Sequence, residues 1–165
     1  MGESVTGDDG ASASKAHPLH FILRYSDSLR GANTYEEHLR ISIKAGAVWW
    51  GKFGVGVSRA WINKATKQVA AGVPTLVFLS EHGNIGYRSQ LLDIRGGGVS
   101  AALSAPDPGL VPKYYRNEQC AVWFKLTNLR PISADILQQI RLYQEPYRRP
   151  EKRGMRGLIY VTIRA

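Results

Sequence analysis

Two adjacent tryptophans, Trp49 and Trp50, run directly into Gly51, Lys52, Phe53 and Gly54. Flat π faces beside glycine and a cation suit stacking on a nucleobase. Each base–aromatic contact is worth ~1–3 kcal/mol, and glycine lets backbone approach a ligand closely. Neighbouring side chains on a strand face opposite ways, so one indole can enter a core while the other faces a pocket; burial of both is the alternative. Tyr114, Tyr115 and Arg116 form a second cluster, placed either to grip a nucleotide or to cover the mouth of the fold. The third candidate is basic. Arg141 to Arg156 carries Arg148, Arg149, Lys152 and Arg153 between its ends and is broken by Pro146, Pro150 and Gly154. It therefore reads as a loop, either contacting phosphate or simply solvated.

Other chemistries find little support. Cys120 is the single cysteine, which excludes an intramolecular disulfide and a multi-cysteine zinc site; before an apolar strand it reads as a small buried hydrophobe. His17, His20, His38 and His82 are scattered, without HExxH or another close ligand spacing. No GxxxxGK[ST] or GxSxG occurs, and no helical pattern opens after Gly96-Gly97-Gly98. Asp93, Glu81 and Glu118 are the carboxylates that folding could assemble around a nuclease metal, with no compact acidic-x-Lys motif behind them. No cofactor is implied.

The whole chain has 165 residues and a net charge of +9, a surplus that points to a polyanionic partner such as nucleic acid. It is uneven. Residues 1–16 hold Lys15 against Glu3, Asp8 and Asp9 and, being rich in Gly, Ser and Ala, read as a flexible tail. Residues 17–111 hold 10 basic and 6 acidic residues, and residues 112–165 hold 11 and 4, so most of the surplus lies late. Residues 17–165 form one expected domain. No apolar run reaches the ~18–20 residues that span a bilayer, and no apolar stretch follows the first Met, so the expected location is cytoplasmic.

The elements that must position these residues can be read from apolar patterning. Strands are expected at His20–Tyr25, Ala47–Trp50, Thr75–Leu79, Gly86–Ile94, Ala121–Leu126 and Gly157–Ile163. Thr34, with Glu37 three residues on, resembles a helix cap, and that helix runs towards Lys44. A second helix spans Ser58–Ala71 and stops at Gly72. A third runs from Ser133 or Asp135 to Tyr143. Gly51, Gly54 and Gly56 mark a loop, and residues 96–113 a long one. Too few full-length crossover helices are present for a doubly wound sheet. The expected class is α+β: a small mixed or antiparallel β-barrel of about six strands with two or three peripheral helices.

With strands and aromatics placed, four segments resemble, in order, the PUA-like superfamily and within it the EVE and YTH domains. They are His20–Ser26 (HFILRYS), Ala47–Lys52 (AVWWGK), Leu76–Ser89 (LVFLSEHGNIGYRS) and Ala121–Ile132 (AVWFKLTNLRPI). The resemblance implies a β-barrel holding a modified, methylated base of DNA or RNA in an aromatic cage. By position it makes Trp49 or Trp50 a cage wall, places Tyr25 and Ser26 where polar contacts to the base arise, and sets Ser80 and Arg88 near the mouth. The second cage tryptophan is replaced by Asp93-Ile94-Arg95-Gly96-Gly97-Gly98, so Phe53, Tyr114 or Tyr115 would substitute. Lys52, Arg116, Arg148, Arg149, Lys152, Arg153 and Arg156 are the expected phosphate contacts. The leading expectation is a non-catalytic, modified-base-binding module of a restriction or defence system, partnered by a fused or separate nuclease or NTPase subunit and by no membrane. The alternatives are a metal-dependent nuclease and a protein–protein adaptor whose charge is incidental.

Overall fold

The computed structural model describes residues 17–27, 33–96, 102–150 and 157–164. The expected tail over residues 1–16, and Lys152, Arg153 and Arg156 of the basic segment, lie outside the described residues. Nine strands are described: β1 (His20–Arg24), β2 (Val48–Lys52), β3 (Leu76–Glu81), β4 (Asn84–Gly96), β5 (Leu103–Ser104), β6 (Gln119–Cys120), β7 (Val122–Pro131), β8 (Ile140–Leu142) and β9 (Leu158–Ile163). Three α-helices accompany them: α1 (Thr34–Ala45), α2 (Arg59–Ala70) and α3 (Ala134–Gln139).

Seven strands make one sheet in the order β2-β7-β4-β3-β1-β9-β8, and β5 pairs with β6 in a separate ribbon. Every pairing is antiparallel except β1 with β3. In a flat sheet β1 and β7, three places apart, would be separated by ~14 Å. Yet the rings of Phe21 on β1 and Phe124 on β7 meet edge to face at 5.7 Å. The sheet therefore curls until its inner side chains touch across it. Its edge strands β2 and β8 do not pair, which corrects the expectation of a barrel: the α+β class and the mixed sheet hold, the closure does not.

The curl divides the core by strand alternation. Phe21, Leu23, Val48, Trp50, Val77, Leu79, Phe124 and Leu126 pack inside, with Trp61, Ile62 and Val69 of α2 against them. Ile22, Phe78 and Val161 face outward and are covered by Ile136 of α3 with Ile140. At the β2–β7 end the outer face carries Trp49, Cys120 and Trp123, covered by Ala105, Val111 and Tyr115. The described part of the loop expected over residues 96–113, together with the residues up to 121, is thus a packed flap. It holds the β5–β6 ribbon and two short 3-10 turns, Pro108–Leu110 and Lys113–Tyr115, and is pinned by the Trp123 indole N–H on the Leu103 carbonyl at 2.9 Å.

Local chemistry sets the boundaries. Asn33, not Thr34, caps α1, its side chain accepting from the Glu36 amide, and Gly46 ends it at φ 89°, where glycine carries no Cβ penalty. Ser58 caps α2. The β3–β4 hairpin turns through His82 (φ 52°) and Gly83 (φ 80°), the two positive φ angles of a tight primed turn. α3 is shorter than expected. Ile140 is extended, buried and paired with Ile163, so the stretch read as one helix to Tyr143 breaks into α3 and β8.

Candidate functional site

A cleft of about 560 Å³ opens where the C-terminal ends of β1 and β2 converge. It is lined by Arg24, Tyr25, Ser26, Thr34, Trp50, Gly51, Lys52, Phe53, Tyr115 and Gly157. Tyr25 follows β1, its amide held at 2.9 Å by the Ser80 carbonyl of β3. Trp50 comes from β2, Phe53 from just beyond it, Thr34 from the first turn of α1 and Tyr115 from the flap. Strand ends, a helix start and the flap therefore meet at one opening, and four of its ten lining residues are aromatic.

The rings form two contacting pairs. Tyr25 meets Trp50 edge to face at 5.4 Å, and Phe53 lies face to face with Tyr115 at 5.6 Å. Trp50 is only 1% exposed, whereas Phe53 is 39% exposed, so Trp50 makes the floor and Phe53 an open wall. His38 of α1 stacks on Trp50 at 3.8 Å and an interplanar angle of 17°. Its Nδ1 donates to the Thr34 carbonyl at 2.7 Å. Its buried Nε2 has no hydrogen-bond partner among the described residues, and burial lowers its pKa to about 3. The imidazole is therefore neutral and acts as a flat support for the tryptophan.

Polar groups gather at the rim. The Lys52 ammonium donates to the Phe53 carbonyl at 3.0 Å and the Val55 carbonyl at 2.7 Å, fastening the turn that presents Phe53. Partial burial lowers its pKa. Arg24 is exposed at the end of β1, with its amide on the Gly157 carbonyl at 3.0 Å. The Tyr25 hydroxyl is pushed above the ordinary phenol range by burial and then by Glu81, so it stays protonated and can donate. The wall is thus apolar, the rim cationic, and none of the described lining residues is acidic.

The cleft brings together Tyr25, Ser26, Trp50, Lys52, Phe53 and Tyr115 of the sequence candidates. Trp49 is on the other face of β2, beneath the Arg95 and Lys125 cations at 5.7 and 5.9 Å from its ring. Ser80 is buried and acts on the cleft through its carbonyl. Arg88 projects from β4 on the outer face, opposite Phe78. Tyr114 lies behind Tyr115, ring centroids 4.9 Å apart, with its hydroxyl buried near Thr34 and Glu37. Arg116 is exposed just past Tyr115, and Arg148 and Arg149 lie on the turn after β8; none of the three lines the cleft. Arg148 is paired with Glu145 at 3.0 Å.

Arg24, Thr34 and the His38 support were not read from the sequence. A histidine four residues into an amphipathic helix looks like any satisfied core histidine, and nothing local ties it to Trp50. Among the described residues no three His, Cys, Asp or Glu side chains come together as metal donors. The Asp93 carboxylate engages Arg95 at 3.2 Å, and that of Glu81 accepts the Asp27 amide. No helix among the described residues is long and apolar enough to cross a membrane.

A family model described as Pua-like matches residues 21–152. No curated protein matches the chain.

Proposed function

The chain belongs to the Pua-like family, whose domains are generally associated with RNA or other nucleic-acid binding and typically bind rather than catalyse; we propose that its cleft receives a single modified base, with cationic groups outside it holding the phosphodiester backbone. The observation that carries this reading is the meeting of four aromatic side chains, Tyr25, Trp50, Phe53 and Tyr115, under a rim of Arg24 and Lys52. Stacking on the open rings supplies ~1–3 kcal/mol per base. That offsets the few kcal/mol needed to draw a base from a duplex. An added methyl group contributes about 0.8 kcal/mol of apolar burial, so a methylated base gains roughly fourfold from burial alone.

A described lining of aromatic, small and cationic residues suits a neutral base beside its phosphate. Lys52 and Arg24 at the rim, with Arg116, Arg148 and Arg149 beyond it, are the backbone contacts in this reading, and they make binding salt-dependent. The EVE and YTH resemblance of the four segments supports a modified base as the ligand and the specificity part of a restriction or defence assembly as the setting. A panel of short duplex and single-stranded oligonucleotides, each with one base modification and measured at fixed salt, tests it. Preference for one modified base is the expected outcome. Equal affinity for every modified and unmodified member would overturn it.

A further inference from the structure

The outer face of the sheet, away from the cleft, carries a second group of cations. Phe78 on β3 faces the outer core while its neighbours Val77 and Leu79 face inward, and Arg88 is the cross-strand partner of Phe78. Arg88 is in turn the direct partner of Arg130 on β7. Two like charges placed opposite each other on an antiparallel pair repel. Neither guanidinium has an ion pair or hydrogen bond among the described residues. Arg130 is exposed and Arg88 half-buried, and burial followed by Arg130 lowers the pKa of Arg88. Further along β7, Lys125 lies over Trp49, and its register partner Asp93 is taken up by Arg95. Four cations thus face outward from these two strands against one carboxylate.

A repulsive pair without a counter-ion is stabilised by an anion that bridges it. Planar guanidiniums favour phosphate oxygens, which they bind with charge-assisted hydrogen bonds. Lys125 and Arg130 are five residues apart, ~16 Å along a strand. The same length of duplex carries on the order of ten phosphate charges, so the face would meet several phosphates together.

We propose that this outer face is a second nucleic-acid contact, centred on the Arg88–Arg130 pair and extended by Lys125, which takes the phosphodiester backbone and not the base. It rests on the reading of the chain as a nucleic-acid binder and is independent of which base enters the cleft. The test is a salt titration of oligonucleotide binding by fluorescence anisotropy, on wild type and on Arg88→Gln/Arg130→Gln. With each arginine neutralising one phosphate, the double variant should reduce the magnitude of the slope of log K against log salt by about 1.8, and the ratio of modified to unmodified affinity should stay as in wild type. The variant should melt no lower than wild type, since no partner is orphaned. Arg88→Lys/Arg130→Lys should keep the slope. A wild-type slope in the glutamine variant, with wild type binding normally, overturns the second contact, leaves the cleft untouched, and points the pair towards an acidic protein surface. Absence of salt-dependent binding by wild type to any duplex or single strand overturns both readings.

Discussion

Gly51 gives the sharpest stability test, because besides its place in the cleft lining it has a packing task on the other face of the strand. Beside Trp50 and Lys52 it reads as a glycine that lets backbone approach a ligand. In the fold it sits in β2 opposite Trp123. A Cβ added there would lie 2.5 Å from the Cys120 Sγ and 2.9 and 3.0 Å from two carbons of the Trp123 ring, where relaxed carbon contacts need ~3.5–4.0 Å. Cys120 and Trp123 are 1% and 0% exposed, so neither can swing into solvent. Overpacking of this kind costs ~1–3 kcal/mol. At ~2–4 °C of Tm per kcal/mol for a domain of this size, Gly51→Ala should melt roughly 2–12 °C below wild type. Cys120→Ala removes the nearest clashing atom and should restore part of that stability in the double variant, the Trp123 clashes remaining. Because the added methyl points to the outer core, base preference measured well below Tm should survive. Circular-dichroism melts of the four proteins close the cycle. Gly51→Ala melting with wild type would refute the packing argument, and a vanished preference at unchanged Tm would return the glycine to the ligand.

Two further outcomes follow from the same geometry. His20 and His38 are buried, and burial lowers their pKa from 6.5 to about 4 and about 3. The unfolded chain takes up both protons below about pH 6.5 and the folded chain does not until its lower values, so stability should fall as pH drops through that window. The slope is up to ~1.4 kcal/mol per pH unit for each histidine. His38→Phe, which keeps a ring against Trp50, should flatten it by about half in denaturant titrations between roughly pH 7 and 5; an unchanged slope would mean the imidazole reaches water. Trp49→Phe should leave the ratio of modified to unmodified affinity unchanged in anisotropy titrations, because Trp49 is buried on the face away from the cleft, and Trp49→Ala should cost ~3–5 kcal/mol in stability. A collapsed ratio in Trp49→Phe would put the indole back at the base.

Much of the fold was legible because its strands are short apolar runs bounded by strong punctuation. HFILR, TLVFL and GLIYVTI each lie close to an observed strand, and Ser58 and Gly72 mark real ends. Errors cluster where tertiary contacts overrule local signals. Ile140 joins β9 although it continues a helical pattern, and Asn33 takes the cap that Thr34 was expected to hold. Gly51 stays in the strand because Cys120 and Trp123 pack against it. Curling without closure was not legible either, since apolar alternation is the same in an open and a closed sheet.

The cleft was half legible for a related reason. Strand alternation says that Trp49 and Trp50 part company, but not which faces inward; that depends on the register of β2 with β7, where Trp50 falls opposite inward-facing Phe124. Tyr25, Phe53 and Tyr115 are 28 and 62 residues apart in sequence, and their meeting is a product of the curl and the flap. Burial also changes which residue makes a clean probe. Trp50 at 1% exposure carries core packing as well as the floor of the cleft, so its removal would confound folding with binding. Phe53 at 39% exposure does not.

The most direct measurement is therefore the affinity of wild type and Phe53→Ala for one oligonucleotide with and without its preferred modified base, at fixed salt and with both proteins shown to be folded. Removal of one stacking wall should weaken the modified complex by ~1–3 kcal/mol, roughly 5- to 150-fold. The unmodified complex, which makes less use of the ring, should weaken less, so the preference for the modified base falls. Equal weakening of both complexes, or of neither, would contradict the assignment of the cleft as a base pocket.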